Sequence, residues 1–388
     1  MKAKILEGNV LETLKDVPPC SVQCVVTSPP YYGLRDYGVE GQIGLEETPE
    51  LYIENLIAVF RECHRVLKDD GTLWLNLGDS YWGGKGQSAH GGSEKQRARF
   101  ERNESINREY QEQEVGRHGW TAPKDGKHPV IKPKDLIGIP WLVAFALRAD
   151  GWWLRSDIVW NKPNPMPESV EDRPTRSHEY IFLMSKSATY YYDHEAIKEP
   201  LSSASIQRLS QPTFDKQTGG AKDYQNGTNK NRSARRALVN LKGRAMPPQV
   251  ADDPERWANL TGRNKRDVWT VTTKPYKEAH FATFPPDLIE PCILAGTKEG
   301  DTVLDPFNGS GTTGEVSIMH NRFYIGCEIN PDYVRLTKRR LSKVQPYMPT
   351  IRTTLPAPDG GDSAPSQALS TPDMFSAIEH EPTPAPRR

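Results

Sequence analysis

Cysteine is scarce in this chain: five in 388 residues, Cys20, Cys24, Cys63, Cys292 and Cys327. No two of them form a Cys-x-x-Cys pair, so neither a zinc site nor a disulfide framework is expected, and a reducing cytoplasm without a structural metal fits best. Long apolar runs are lacking too. The longest, Leu136 to Leu147, is broken by Gly138 and Pro140 and is shorter than the roughly 18 residues a membrane span needs. The amino terminus puts Glu7 and Gly8 where a signal peptide would carry its apolar stretch. Net charge is absent as well, since 50 Lys and Arg balance 50 Asp and Glu. No global field therefore draws the protein to a polyanion or a membrane, and any polyanion site must be local. Glycine (30) and proline (33) together stay below the roughly 25–30% that marks a disordered or fibrous chain. A mean hydropathy of -0.69 implies long polar loops, and the length suggests two or three structural units.

What is present is an alternation of strand and helix signals. Ser21 to Val26 reads as a short buried strand, stopped by Thr27-Ser28-Pro29-Pro30-Tyr31 because two prolines cannot continue in a sheet interior. Thr48 and Pro49 then supply the N-cap and first-turn signals of a helix carrying Tyr52, Leu56, Val59, Cys63 and Val66 near the 3.6 period. A second strand follows at Thr72 to Leu77. After a polar stretch come a helix from Pro140 to Leu147 and strands at Leu154 to Trp160 and Tyr180 to Met184. Near the carboxyl end the spacing predicts a helix over Pro286 to Leu294, a strand Thr302 to Asp305, a helix Thr312 to Met319 and a strand Phe323 to Glu328. Such alternation indicates an α/β domain with parallel strand pairing. Trp141, Trp152 and Trp153 are expected in its core.

Two polar stretches interrupt the pattern. Gly83 to Lys134 holds 11 Lys and Arg against 7 Asp and Glu, and Ser202 to Lys274 holds 14 against 6. The second, strongly positive in a neutral chain, is where a phosphate backbone would bind. Beyond Pro349 seven prolines and few apolar residues predict a disordered tail.

Gly309, Gly311 and Gly314 stand in G-x-G-x-x-G spacing between a strand and a helix. Glycine allows a tight turn and close approach of a ligand to the backbone. The next strand ends in Glu328, an acid placed to accept hydrogen bonds from ribose hydroxyls. A nicotinamide dinucleotide and S-adenosyl-L-methionine both satisfy this pattern. Asp305, just before the turn, favours the second, because a carboxylate repels a pyrophosphate and suits a cofactor carrying an ammonium and a sulfonium.

Ser28-Pro29-Pro30-Tyr31 is the more specific motif. It offers a hydroxyl acceptor, carbonyls freed from the strand and an aromatic face, which together could hold a planar amine and stack its ring. With the loop Asp305-Pro-Phe-Asn-Gly-Ser-Gly-Thr-Thr313 it resembles the amino-methylating DNA methyltransferases, which modify the N4 amine of cytosine or the N6 amine of adenine. The amine motif precedes the glycine loop, as in the permuted β arrangement of bacterial and phage modification enzymes. Val159 to Pro165 with Arg173 to Tyr180 is similar to the far wall of that family's base pocket, and His280 to Pro285 to a segment beside the cofactor's methionine end. Gly8-Asn9 departs from the Gly-Asp that related enzymes often carry near the adenine.

The resemblance implies a circularly permuted, Rossmann-like fold with a mostly parallel seven-stranded sheet and polar insertions for DNA recognition. It divides the chain into residues 1–82 with the catalytic motif, an insertion at 83–134, the continued domain at 135–200, a basic target-recognition region at 201–275, the cofactor-binding part at 276–348 and the tail at 349–388. Ser28, Pro29, Pro30 and Tyr31 would hold the target amine. Asp305, Phe307, Gly309, Ser310, Gly311, Thr312, Thr313 and Glu328 would hold S-adenosyl-L-methionine. Arg232, Arg235, Arg236, Arg263, Lys265 and Arg266 would contact double-stranded DNA. A flipped base would receive the methyl group directly, with cytosine N4 favoured by Ser28 over adenine N6. A restriction enzyme would be the cognate partner, in the cytoplasm of a bacterial host. A carbon-5 cytosine mechanism would need a nucleophile such as Cys20 or Cys292, each after a proline. A nicotinamide oxidoreductase would leave the Ser-Pro-Pro-Tyr motif unexplained, and a pure DNA-binding module would leave the glycine loop unexplained.

Overall fold

The computed structural model describes residues 2–34, 36–83, 127–201, 262–273 and 284–347. In chain order the elements are β1 (Ala3–Glu7), α1 (Val10–Thr13), β2 (Val22–Thr27), α2 (Pro49–Val66), β3 (Leu67–Leu77) and α3 (Ile139–Ala149). They continue with β4 (Trp153–Asn161), β5 (His178–Ser185), β6 (Val268–Thr270), α4 (Pro286–Gly296), β7 (Thr302–Asp305), α5 (Thr312–Met319), β8 (Phe323–Glu328) and α6 (Pro331–Leu341).

One sheet contains all eight strands found among the described residues, in the order β1-β8-β7-β2-β3-β5-β4-β6. β5 pairs antiparallel with both neighbours, and every other pairing is parallel. All six residues of β2 and all four of β7 are buried, as expected of central parallel strands covered on both faces. Their side chains alternate between two cores. Val25 joins α1, α2 and α3 residues such as Val10, Leu56 and Val143 on one face, while Cys24 and Val26 join Leu288, Ile293 and Val316 of α4 and α5 on the other. Helix α2 begins where the sequence signals it: the Thr48 hydroxyl accepts from the Leu51 amide at 3.3 Å.

β2 and β7 are neighbours in the middle of the sheet, with Cys24 opposite Val303 and Val25 opposite Leu304. Ser28-Pro29-Pro30-Tyr31 and the glycine loop therefore leave the same sheet edge side by side, although 277 positions separate Ser28 from Asp305. This is the carboxyl end of adjacent parallel strands, where ligands bind in open α/β sheets.

The sheet has one strand more than expected. β6 lies within the stretch read as irregular and adds to β4 with Val159 opposite Val268. Three residues are too few to carry an alternation signal, and its anchor is tertiary: buried Trp269 packs against Trp74, ring centroids 6.4 Å apart. Trp153 also departs from expectation, being 49% exposed. It belongs to the outward row of β4 with Arg155 and Asp157, while Trp152 is buried.

Only 83 and 127–134 of the insertion and 201 and 262–273 of the basic region are described, so Arg232, Arg235 and Arg236 lie outside the described residues, as does the tail. Among the described residues no helix is long and apolar enough to cross a membrane.

Candidate active site

Behind β7 the chain makes the turn that the glycines allow. Gly309 and Gly311 have φ of 52° and 78°, and a side chain at Gly311 would come within 2.7 Å of Thr337. The turn is held around Asp305, which is 1% exposed. Its carboxylate accepts from the Thr27 hydroxyl at 2.6 Å, the Thr313 hydroxyl at 2.7 Å and the Phe307 amide at 3.0 Å. Burial pushes its pKa up to about 6, against the opposing pull of these three donors. Asp305 is thus tied into the protein on both oxygens, and it joins the end of β2 to the start of α5.

Glu328, at the end of β8, accepts the Gly309 amide at 2.7 Å on one oxygen and the Asn330 amide at 2.9 Å on the other. Burial raises it to about 7. A carboxylate has about four lone-pair directions, so each oxygen can still accept from a ligand hydroxyl.

At the end of β2, Tyr31 is fixed by a close approach that only glycine permits. Its ring lies on Gly78, just beyond β3, where an added Cβ would stand 2.5 Å from the ring edge. The Tyr31 hydroxyl donates to Glu179 at 2.7 Å and lies 3.2 Å from the Asn76 side-chain oxygen. It accepts in turn from the Ser28 hydroxyl at 3.4 Å. Burial first, and the Glu179 charge second, hold the Tyr31 hydroxyl well above the ordinary tyrosine range. Lys162 Nζ pairs with the other oxygen of Glu179, and its ammonium lies 4.2 Å from the centre of the Trp160 ring. Asn76 completes the group, donating to Glu179 at 3.2 Å and to the Tyr180 carbonyl at 3.0 Å. Of the two proline carbonyls, Pro30's accepts the Tyr52 hydroxyl at 2.8 Å.

The two strand ends open into one cleft of about 880 Å³, lined by Ser28, Pro29, Pro30, Tyr31, Asn76, Lys162 and Glu179 toward one end and by Asp305, Phe307, Gly309, Ser310, Thr312 and Glu328 toward the other. Gly311 and Thr313 do not line it; they shape the turn and hold Asp305. Asn9 does line it, and its side-chain oxygen caps α1 by accepting the Leu11 amide at 2.9 Å.

Asn76, Lys162 and Glu179 were not singled out by the sequence. Lys162 and Glu179 fall within the two wall segments, but their meeting depends on the antiparallel register that sets Trp160 opposite Glu179. Asn76 had a local signal, a polar residue inside the otherwise apolar Leu73-Trp-Leu-Asn-Leu77.

Neither Cys20 nor Cys292 lines the cleft. Cys327 does, but burial pushes its thiol up to about 12, far from the thiolate that a nucleophile needs. Three of the six basic residues are described. Arg263 and Arg266 share the Glu199 carboxylate, each at 3.1 Å, and the Lys265 ammonium lies 4.8 Å from the centre of the Trp269 ring.

The donor set fits a cationic nucleoside: two carboxylates, the side-chain amides of Asn9 and Asn330, and apolar walls from Phe307 and Ile329. Fold and cleft together define an S-adenosyl-L-methionine-dependent methyltransferase. The chain belongs to the N6/N4 DNA methylase family, whose model matches residues 22–339. It is 44% identical over 351 residues to the Type II methyltransferase M.Cfr9I of Citrobacter freundii, covering 87% of each chain. Against M.XycI of Xanthomonas campestris pv. cyanopsidis it is 44% identical over 349 residues, again 87% of each. The solved PvuII DNA methyltransferase (cytosine-N4-specific) shares the fold with a TM-score of 0.51 at 18% identity, over 88% of this chain and 86% of that one.

A pH dependence follows from Glu328. With Glu328 proposed as the ribose acceptor, its ionised carboxylate is the form that would accept from the hydroxyls, and burial has raised its pKa to about 7. Cofactor affinity is therefore expected to be full above that pH and to fall as the pH drops through it, with proton release on binding near neutrality. Calorimetry at one near-neutral pH in two buffers of different ionisation heat reads this directly, and identical heats would remove Glu328 from the site. In the free protein the sign is opposite. Raised carboxyls favour the folded state most below their unfolded values, and that contribution is lost as pH rises through about 6 for Asp305 and about 7 for Glu328.

Proposed function

We propose that this DNA methyltransferase acts on the N4 amine of cytosine in double-stranded DNA, with the target base flipped into the Ser28 end of the cleft. The observation that carries the amine part of the proposal is the hydroxyl chain from Ser28 through Tyr31 to Glu179, which suits cytosine N4 and adenine N6 alike. Ser28 donates to Tyr31 and Tyr31 donates to Glu179, so the Ser28 oxygen offers its lone pairs, not its proton, to an arriving N–H. The amine's second hydrogen is assigned to the Pro29 carbonyl, while Pro30's already accepts the Tyr52 hydroxyl.

S-Adenosyl-L-methionine, when bound, supplies an electrophilic methyl group on a sulfonium. The chain's own residues orient the nucleophile toward it. An exocyclic amine conjugated with its ring is a poor nucleophile, and two acceptors in fixed positions turn its lone pair out of the ring plane. The amine must also lose a proton, and the same hydroxyls lead from Ser28 through Tyr31 to the Glu179 carboxylate. Lys162 and Asn76 hold Glu179 in place.

A serine hydroxyl before the two prolines favours cytosine, as the family resemblance implies. Adenine N6 is the second member of the family's chemistry. Single-molecule sequencing of DNA from a methylation-free host expressing the chain tests the proposal. Modified cytosines confined to one sequence context support it, and modified adenines overturn the choice of base. The relatives' Type II designation supports a cognate restriction enzyme as partner, and the substrate supports a bacterial cytoplasmic setting.

The basic stretch serves as the DNA contact in this reading. Arg263 and Arg266 place two charges against the single Glu199 carboxylate and keep a net positive charge for phosphate. Replacing Arg263, Lys265 and Arg266 together with glutamine is expected to flatten the slope of log affinity against log salt by roughly 0.9 for each lost phosphate contact. An unchanged slope would move the interface elsewhere, with Arg232, Arg235 and Arg236 as the next to test.

A further inference from the structure

We infer that Met166 is the wedge that enters the base stack as the target nucleotide leaves it, an inference that rests on the DNA methyltransferase reading of the cleft. β4 and β5 are joined by residues 162–177, and the first part of this connection, including Asn164, Pro165 and Met166, lines the cleft with Ser28. Met166 is 84% exposed, more than any other large hydrophobic residue among those described. Single exposed hydrophobics are ordinary on a protein surface. This one differs by its place, since Val130, Leu142, Phe145 and Trp153, also exposed, do not line the cleft, and Leu34, which does, is only 37% exposed.

It differs also in how it is held. Before it, the Lys162 amide donates to the Ser177 carbonyl at 2.8 Å. The Asn164 side chain donates to the Thr273 carbonyl at 3.3 Å and accepts the Thr273 amide at 3.1 Å. After it, Glu168 accepts from Arg173 at 2.6 Å and from the Arg176 amide at 3.3 Å, and the Arg173 guanidinium lies 3.9 Å from the centre of the Tyr81 ring. Between these ties stands Pro165-Met166-Pro167, and proline fixes φ on both sides of the methionine. The connection thus presents one apolar side chain to solvent on a restrained backbone at the rim of the cleft.

Flipping a nucleotide leaves a gap in the duplex and costs a few kcal/mol of stacking and pairing. Apolar side chains, methionine among them, fill such gaps between base steps. A thioether is unbranched and polarisable, so it packs against any neighbouring base without selecting one. Recognition would remain with the basic region, while Met166 lowers the cost of opening.

The test uses the full-length protein with S-adenosyl-L-methionine and short duplexes carrying the site mapped by sequencing. In one duplex the target base is paired, and in a second its partner is replaced by an abasic site, which makes opening easier. Met166→Ala is expected to slow single-turnover methylation of the paired duplex by about tenfold and to lose most of that defect on the abasic duplex. Met166→Leu, which keeps an apolar point, is expected to stay within about threefold of the unsubstituted enzyme on both. Equal slowing of Met166→Ala on the two duplexes, or none on either, overturns the wedge. An unsubstituted protein that methylates no duplex overturns the underlying reading instead, so the two failures are distinguishable.

Discussion

Replacing Glu179 with glutamine is expected to lower the single-turnover methylation rate about a hundredfold, the lower end of what a positioned proton acceptor contributes, with cofactor affinity unchanged. The two side chains are nearly isosteric, so packing against Asn76 and Tyr31 survives. The charge does not, and neither does the polarity of the chain it terminates. A carboxylate can only accept, which obliges Tyr31 to donate to it and Ser28 to donate to Tyr31. An amide NH₂ facing Tyr31 would donate to that hydroxyl and turn the Tyr31 proton toward the Asn76 side-chain oxygen, 3.2 Å away, so the chain from Ser28 would no longer end on a proton acceptor at position 179. Lys162 would also lose its counter-ion, in surroundings where the Lys162 and Glu179 side chains are 19% and 14% exposed. Glu179→Ala is the poorer variant, because it leaves that ammonium unpaired and costs stability as well. Rapid-quench measurement at saturating cofactor reads the effect. A rate within a factor of about two of the unsubstituted enzyme would detach Glu179 from the reaction.

At the other end of the cleft, Glu328→Ala is expected to weaken S-adenosyl-L-methionine binding about 10–100-fold, as the loss of charge-assisted hydrogen bonds worth roughly 1.5–3 kcal/mol implies. The substitution removes the proposed ribose acceptor and releases the amides of Gly309 and Asn330, which Glu328 holds at 2.7 and 2.9 Å, so the glycine turn loosens with it. Glu328→Gln separates the two effects. The amide oxygen can still accept one of these N–H groups, and a loss of affinity that persists in Glu328→Gln belongs to the missing charge. Asp305→Ala is less informative. Both its oxygens are committed to Thr27, Thr313 and Phe307, so the variant takes the acceptor from all three donors and reports on the fold as much as on the cofactor. Titration calorimetry measures the Glu328 effect, and an affinity within about twofold of the original would place the ribose elsewhere.

The glycine-loop half of this site was legible in the sequence because its information is local. β7, α5 and β8 fall at Thr302–Asp305, Thr312–Met319 and Phe323–Glu328, as the apolar runs, the glycines and the terminal acids require. Elsewhere the reading was less complete, mostly but not only where the signal is not local. β1 is a sheet edge of intermediate burial, and its partner β8 lies more than 300 positions away. β3 starts at Leu67, not Thr72, and runs through the polar Lys68-Asp69-Asp70-Gly71, which carries no strand alternation. α6 was overlooked despite Asn330-Pro331-Asp332 at its start, a capping sequence whose Asn330 side chain accepts the Asp332 amide. The Ser28 end of the candidate site divided in the same way. The Ser28 to Tyr31 motif was readable from residue chemistry alone, whereas Glu179 reaches Tyr31 across 148 positions by strand register.

The most direct test of amine-directed methyl transfer is the chemical identity of the product. Unmethylated bacterial DNA is incubated with the purified protein and S-adenosyl-L-methionine carrying an isotopically labelled methyl group, digested to nucleosides and resolved by mass spectrometry. Labelled N4-methyldeoxycytidine is the expected product. Labelled N6-methyldeoxyadenosine alone would contradict the cytosine assignment, and labelled 5-methyldeoxycytidine would contradict the mechanism itself.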